Sequence, residues 1–158
     1  METRDVRTIS VNVKPPTKAG RLYPRYDEES GILAVESSVQ RDWLFGIDID
    51  GTLVFDLDEQ RVLANFDLHI PKDRWERDLG PDATLISRPG DLMLTPESIA
   101  QKSFNLPIRV RTDSQAQRLR IEIGVAKADH AVALSESCVA LLARNDLVGF
   151  VIRIVDSR

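Results

Sequence analysis

Three runs of alternating apolar residues, between positions 43 and 70, constrain the fold of this chain more than any other feature. In each run every second residue is apolar, which is the pattern of a β-strand with one buried face. The first two runs are joined by Asp50-Gly51, a pair that tolerates the positive φ angles of a tight hairpin turn. The polar stretch 58–61 provides the next reversal. The sequence therefore predicts an antiparallel meander of three strands.

Alternation of the same kind predicts most of the remaining strands. It marks residues 6–13, which are followed by two prolines, and a hairpin within residues 21–38. Further strands are predicted at residues 82–87, 107–112, 119–124 and 147–155. Residues 130–143 fit either one helix or two strands around a turn at 135–137, and the pattern leaves both open.

Helix signals are few. Thr95 is a suitable N-cap, and Pro96 fits the first helical position. That helix is predicted to run to about Phe104, and a second, shorter helix is predicted within residues 71–79. The predicted fold class is therefore α+β, predominantly antiparallel β in meanders and hairpins, with one or two short helices.

A chain of 158 residues is expected to form a single compact domain. Its strand patterns gather in two β-rich halves, residues 1–72 and 105–158. The segment 73–104 between them has a helix signal and several turn residues. We therefore expect one domain built from two β-rich halves, joined by a helical or loop segment.

Composition restricts the class of protein. Hydrophobic residues make up 42% of the chain, but no apolar stretch approaches the ~20 residues that span a bilayer. The first ten residues contain no apolar run typical of a secretory signal. Cys138 is the only cysteine, so no internal disulfide can form. These features predict a cytoplasmic protein without a membrane partner, and the net charge of −4 argues against nucleic-acid binding.

Negative charge is concentrated in one part of the predicted meander. Residues 48–59 contain five carboxylates and no lysine or arginine. An acidic surface of this kind attracts a basic partner. The residues predicted to bind such a partner are Asp56, Asp58 and Glu59.

Residues 48–54, with the sequence Asp-Ile-Asp-Gly-Thr-Leu-Val, resemble the first motif of haloacid dehalogenase-like phosphatases. The resemblance implies that Asp48 attacks phosphorus and that Asp50 acts as general acid and base. It also implies Mg²⁺ as the cofactor, with Ser87 binding phosphate and Lys102 supplying the cation. The metal ligands implied are Asp48, Asp50 and Asp129.

The rest of the sequence departs from that family. Its last motif has paired acids, whereas here Gly124 is followed by Val125 and only Asp129 remains. The resemblance also implies a parallel sheet with helical crossovers, whereas residues 52–70 have strand patterns throughout. The hairpin interpretation of Asp50-Gly51 is therefore preferred, and the phosphatase is kept as the alternative.

The two halves share a short repeat, since residues 56–70 and 141–154 align with one gap, with Ala64 opposite Gly149. The repeat resembles a small bacterial β-rich domain family of unknown function. The positions that carry this resemblance are Tyr26, Asp27, Leu33, Asp56, Asp58 and Val62, and again Asp146, Leu147, Val148, Gly149 and Ile152. It implies two divergent copies in one chain and a β-rich architecture, and it assigns no activity.

Three functional hypotheses follow. The first is a non-catalytic, cytoplasmic protein-binding module, for example an immunity-type protein that neutralises a basic partner such as a nuclease toxin. The alternative is a Mg²⁺-dependent phosphatase with Asp48 as nucleophile. The third is a protein that forms a homodimer through an exposed sheet edge.

Overall fold

The alternating apolar residues of the sequence face inward from two β-sheets that share one core. A computed structural model describes residues 8–39, 42–80 and 85–154. At the centre of the core, the rings of Phe66 and Phe150 stack with their centroids 4.3 Å apart. Phe55 meets both rings edge-on. Because Phe66 and Phe150 belong to different sheets, the sheets bury their apolar faces against each other.

The described residues are mostly strand. The fourteen strands are β1 (Ile9–Lys14), β2 (Leu22–Asp27), β3 (Ile32–Ser37), β4 (Phe45–Ile49), β5 (Leu53–Leu57), β6 (Leu63–Leu68), β7 (Ser87–Pro89), β8 (Asp91–Leu94), β9 (Ser103–Phe104), β10 (Ile108–Thr112), β11 (Arg118–Ile123), β12 (His130–Ala133), β13 (Cys138–Ala143) and β14 (Asp146–Arg153). The helical elements are a 3₁₀ turn (Lys72–Arg74) and one α-helix, α1 (Pro96–Gln101).

The two sheets have the same strand order. The first sheet has six strands in the order β2-β3-β6-β5-β4-β9. The second has the order β10-β11-β14-β13-β12-β7. Outside this path, β1 pairs with β14, and β8 pairs with β1. In each path the neighbours are antiparallel except for the last pair, which is parallel. A hairpin followed by a three-stranded meander is therefore built twice, from β2–β6 and from β10–β14.

The strand register repeats as well. One extra residue, Ala64, interrupts the pairing of β6 with β5, and Val148 interrupts the pairing of β14 with β13 in the same way. The register therefore matches Ala64 with Val148, one position away from the Gly149 of the sequence alignment. Counted from these bulges, Phe66 and Phe150 hold equivalent positions. Equivalent residues of the two halves therefore contact each other, as they would across an approximate two-fold axis.

Strands β1 and β8 cross between the halves. They pair with each other, with Val11 opposite Leu94. The Val11 N–H donates to the Asn145 carbonyl (2.8 Å), and the Leu94 N–H donates to the Arg61 carbonyl (2.9 Å). Arg61 and Asn145 are equivalent in the repeated register, so each crossing strand binds the turn of the opposite half.

The segment 73–104 does more than connect the halves, since it supplies β7 to the second sheet and β9 to the first. Residues 71–79 were predicted to be helical, but only the 3₁₀ turn forms there. Glu76 instead lies along β10: its N–H donates to the Val110 carbonyl (2.9 Å), and its carbonyl accepts from the Thr112 N–H (2.7 Å). Pairing with the edge of β10 gives these backbone N–H and carbonyl groups the hydrogen bonds that a helix would otherwise have provided.

The predicted meander and hairpins are confirmed, and the predominance of antiparallel strands is confirmed with them. Residues 130–143 adopt the two-strand alternative. The class is mainly β rather than α+β, because α1 is short. The sheets are mixed rather than purely antiparallel, because each has one parallel pair. Helix α1 ends at Gln101, earlier than predicted, because Lys102 has a φ of +63° and the next residues join β4.

Parts of three predicted strands lie outside the described residues, at positions 6–7, 82–84 and 155. In the described part of the chain, no helix has the length and apolar character needed to cross a bilayer.

Candidate partner-binding site

A groove of about 850 Å³ lies between the β3–β4 connection and the β5–β6 turn, and we call it the acidic groove. Its carboxylates include Asp42, Asp58 and Glu59, and Lys14 also lines it. Val62 and other apolar side chains contribute to its lining. The groove therefore combines apolar surface with an excess of negative charge.

Asp58 shapes the turn that borders the groove. One of its carboxylate oxygens accepts hydrogen bonds from the N–H groups of Gln60 and Val62, both 2.9 Å long. The Arg61 N–H donates to the Asp58 carbonyl (2.9 Å), with Arg61 at a φ of +67°. Aspartate commonly holds a turn in this way. Asp58 therefore fixes the loop, and Glu59 is exposed at its tip.

Asp91 holds the opposite part of the groove. Its side chain is buried, and it accepts a hydrogen bond from the Thr17 hydroxyl (2.7 Å). The same hydroxyl accepts from the Gly20 N–H (3.1 Å). The segment between β1 and β2 is thereby fixed against β8. Sequence patterns gave no sign of this contact, because its partners are more than 70 positions apart.

The β3–β4 connection presents large apolar side chains to solvent. Trp43 is 57% exposed, Leu44 is 66% exposed, and Val39 lies on the same connection. The alternating pattern had placed Trp43 on the buried face of a strand, and this expectation is wrong. Strand β4 begins only at Phe45, so Trp43 lies outside the paired region. Exposed tryptophan is typical of protein-binding surfaces.

Asp56 is separate from the acidic groove. It lies on the outer face of β5, where its carboxylate accepts a hydrogen bond from the Asn65 amide (2.7 Å). Partial burial raises the pKa of Asp56. Asp67, on the neighbouring strand, also has a raised pKa, first because of burial and then because of the charge of Asp56. Of the three predicted partner-binding residues, only Asp58 and Glu59 line the groove.

Substituting Asp67 by asparagine is expected to raise the free energy of unfolding at pH 7, by less than about 1 kcal/mol because water screens a half-exposed carboxylate. A raised pKa means that folding favours the protonated form of Asp67. The stabilisation that this protonated carboxyl contributes is present at low pH and is lost as the pH rises through the folded-state pKa. The advantage of Asp67→Asn should therefore disappear below about pH 4. Urea denaturation at several pH values measures it.

Asp27 provides the matched control. Hydrogen bonds from the Ser30 side chain and the Glu29 N–H lower the pKa of Asp27. Its ionised form is favoured by folding, so Asp27→Asn should destabilise the protein at pH 7, with the difference lost as the pH falls through the folded-state pKa. A loss of stability at pH 7 in Asp67→Asn would contradict the argument.

Asp50 and Gly51 form the predicted turn. Their φ angles are +54° and +68°, and the Thr52 N–H donates to the Ile49 carbonyl (3.1 Å). The Asp48 carboxylate accepts a hydrogen bond from the Gly51 N–H (3.2 Å). The hairpin prediction is confirmed. The parallel sheet with helical crossovers, which the phosphatase resemblance implies, is not the fold of this chain.

The other residues implied by the phosphatase resemblance lie apart. Ser87 is on β7 and Asp129 precedes β12, both in the second sheet, whereas Asp48 is in the first. Only Lys102 meets Asp48 directly, where its carbonyl accepts from the Asp48 N–H (2.9 Å). Asp129 contacts His130 and accepts from the Arg144 N–H (3.0 Å). Across the described ranges, no three His, Cys, Asp or Glu side chains are grouped as metal ligands would be.

No protein-family model matches the sequence, and no curated protein matches it either. The resemblance to a small bacterial β-rich family therefore remains an expectation. The repeated topology of the two sheets is an independent observation, made from the strand pairing alone.

Proposed function

We propose that this protein is a non-catalytic binding module whose acidic groove takes a basic segment of a partner protein. The observation that carries the proposal is the exposure of Leu44 in the lining of a groove rich in carboxylates, with the exposed Trp43 next to it in the chain. Large apolar side chains are unfavourable in water, and a partner that covers them gains their burial. Leu44 itself lines the groove, so the apolar and acidic parts form one surface.

The charge of the groove favours lysine or arginine in the partner. A long basic side chain can lay its apolar stem on Leu44 and place its charged end near Asp42 or Glu59, which line the same groove. The net charge of −4 would also accelerate the encounter with a basic protein. A basic toxin neutralised by this protein is one partner of that kind.

The sheet edges support a groove rather than strand addition as the mode of binding. Edge strand β2 contains Pro24, which has no N–H, and the Leu22 N–H already donates to the Leu134 carbonyl (3.2 Å). On the second sheet, Glu76 covers β10. Among the described strands the remaining edges are β7 and β9, with three and two residues, and β8, with four residues, of which Met93 is bridged to Val62. We therefore prefer the groove to the homodimer through a sheet edge.

Trp43→Ala is expected to weaken partner capture at least about 30-fold, as the loss of a buried tryptophan anchor does. Immobilised wild-type and variant proteins would be compared for capture from lysate, and the captured basic protein would then be titrated by calorimetry. Glu59→Lys should weaken binding several-fold at low salt and less at high salt, because the attraction is screened.

Glu136→Lys is the matched control for charge, since Glu136 is exposed in the β12–β13 turn and the net charge changes equally. It should capture the partner as the wild type does. Equal capture by wild type and Trp43→Ala would refute the proposal. If Glu59→Lys and Glu136→Lys lost the same amount of partner binding, the attraction would be a general effect of net charge and not of the acidic groove.

A further inference from the structure

The second half of the molecule has a cavity at the place equivalent to the acidic groove. It measures about 590 Å³ and lies between the β9–β10 connection, the β11–β12 connection and the start of β14, and we call it the apolar cleft. We propose that the apolar cleft is a second ligand site, for a small, mainly apolar molecule that carries one ammonium group. This site does not depend on the proposed function of the acidic groove.

The repeated register makes the two cavities equivalent. Val62 lines the acidic groove and Asp146 lines the apolar cleft. Each lies two residues before the bulged residue of its half, Ala64 and Val148 respectively. Strand β1 connects the cavities, since Thr8, just before it, borders the cleft, and Lys14, its last residue, borders the groove. The cleft is therefore part of the architecture that the two halves share.

The chemistry of the cleft differs from that of the groove. Leu106, Leu147 and Val148 line it, and Val125 is 93% exposed on the β11–β12 connection. Its volume lies within the range of about 300–1,000 Å³ that is usual for small-molecule sites. Leu147 and Val148 are already buried, whereas Leu106 is partly exposed, so an apolar body of a few carbon atoms would cover Leu106 and Val125 and remove them from water.

Asp146 gives the site its polarity. Among the described residues that line the cleft it is the one with a charged side chain, and it is half-buried. Its main chain pairs with Ser10 and Ala143, while in the described ranges its carboxylate takes part in no hydrogen bond or ion pair. An ammonium group would provide a charge-assisted partner for that carboxylate, whereas an anionic ligand would be repelled. The neutral side chains of Ser103 and Asn105 add hydrogen-bonding capacity.

The test uses three probes of equal chain length, hexylammonium, hexanol and hexanoate, titrated into the full-length ¹⁵N-labelled protein. Hexylammonium should produce saturable shifts at cleft residues such as Ser103, Leu106 and Val125. Hexanol should bind several-fold more weakly, and hexanoate should not bind. Asp146→Asn should reduce the affinity for hexylammonium about fivefold and remove the preference over hexanol.

Two further variants keep the test decisive. Asp42→Asn removes a carboxylate from the acidic groove and should leave hexylammonium binding unchanged. Val125→Ser alters an exposed side chain, so that the fold is retained, and should weaken all binding probes alike. The proposal is wrong if no probe gives saturable shifts in the cleft, if hexanoate binds as well as hexylammonium, or if Asp146→Asn has no effect.

Discussion

Replacing Phe150 by alanine is expected to lower the free energy of unfolding by about 3–5 kcal/mol. The side chain is fully buried, stacks on Phe66 of the other sheet and meets Phe55 edge-on at 5.9 Å. Its removal leaves a cavity where the two sheets meet, and it also removes two aromatic contacts. The strands on either side are hydrogen-bonded to their neighbours, so the sheets cannot easily close over the gap. Urea denaturation followed by tryptophan fluorescence measures the loss.

Val151→Ala is the control for the Phe150 substitution, because Val151 is the next residue of β14 and is only half-buried. It should cost less than about 1 kcal/mol. Phe66→Ala should resemble Phe150→Ala, since the two rings are equivalent and contact each other. The double variant should lose less than the sum of the two single losses, because the stacked contact is counted twice. A loss below about 1 kcal/mol in Phe150→Ala would contradict the shared core.

Gly149→Ala is expected to destabilise the protein by about 3 kcal/mol or more, although it adds only one methyl group. A Cβ at this position would lie 2.3 Å from the carbonyl oxygen of Ile121 on β11. The obstacle is backbone in a central strand pair, so no side chain can move aside. Strands β11 and β14 must separate locally, and that weakens the middle of the second sheet. The same denaturation experiment gives the change, and circular dichroism reports whether strand content is kept.

Gly46→Ala is the matched glycine substitution. Gly46 is an exposed residue of β4, and a Cβ there would have no heavy atom within 4 Å apart from its chain neighbours. We expect no loss of stability and a gain of up to about 1 kcal/mol, because alanine restricts the unfolded chain. The equivalent position in the second half is already an alanine, Ala131. If Gly149→Ala behaved like Gly46→Ala, the close approach of β11 and β14 would be wrong.

Local sequence was sufficient for the individual strands and for their nearest pairings. Alternation fixes which face of a strand is apolar, and Asp50-Gly51 fixes the reversal, because both effects involve residues that are close along the chain. The acidic stretch also contains Asp58 and Glu59, which the structure places in the lining of the groove. It did not separate them from Asp56, since whether a side chain at a strand end faces a groove or the sheet face depends on what packs there.

Residues whose environment depends on distant partners were misplaced or left open. Trp43 continued the apolar alternation by its type, but strand β4 begins two residues later, at Phe45. Residues 130–143 have a helix-forming composition, yet they form strands β12 and β13, of which β12 pairs with β7 and β13 with β14. Helix propensity is a weak preference, and a full set of interstrand hydrogen bonds overrides it.

The amino-acid sequence alone is enough to specify a β-rich chain with its principal turns, because side-chain alternation and turn conformation are properties of neighbouring residues. How the two repeated units join, with β1 and β8 crossing between them and β7 and β9 closing opposite sheets, depends on contacts in the folded protein. The tertiary structure also assembles the acidic groove from residues as far apart as Lys14, Asp42 and Met93. Those contacts arise because both sheets must cover their apolar faces, and the partners that satisfy this requirement are remote in sequence.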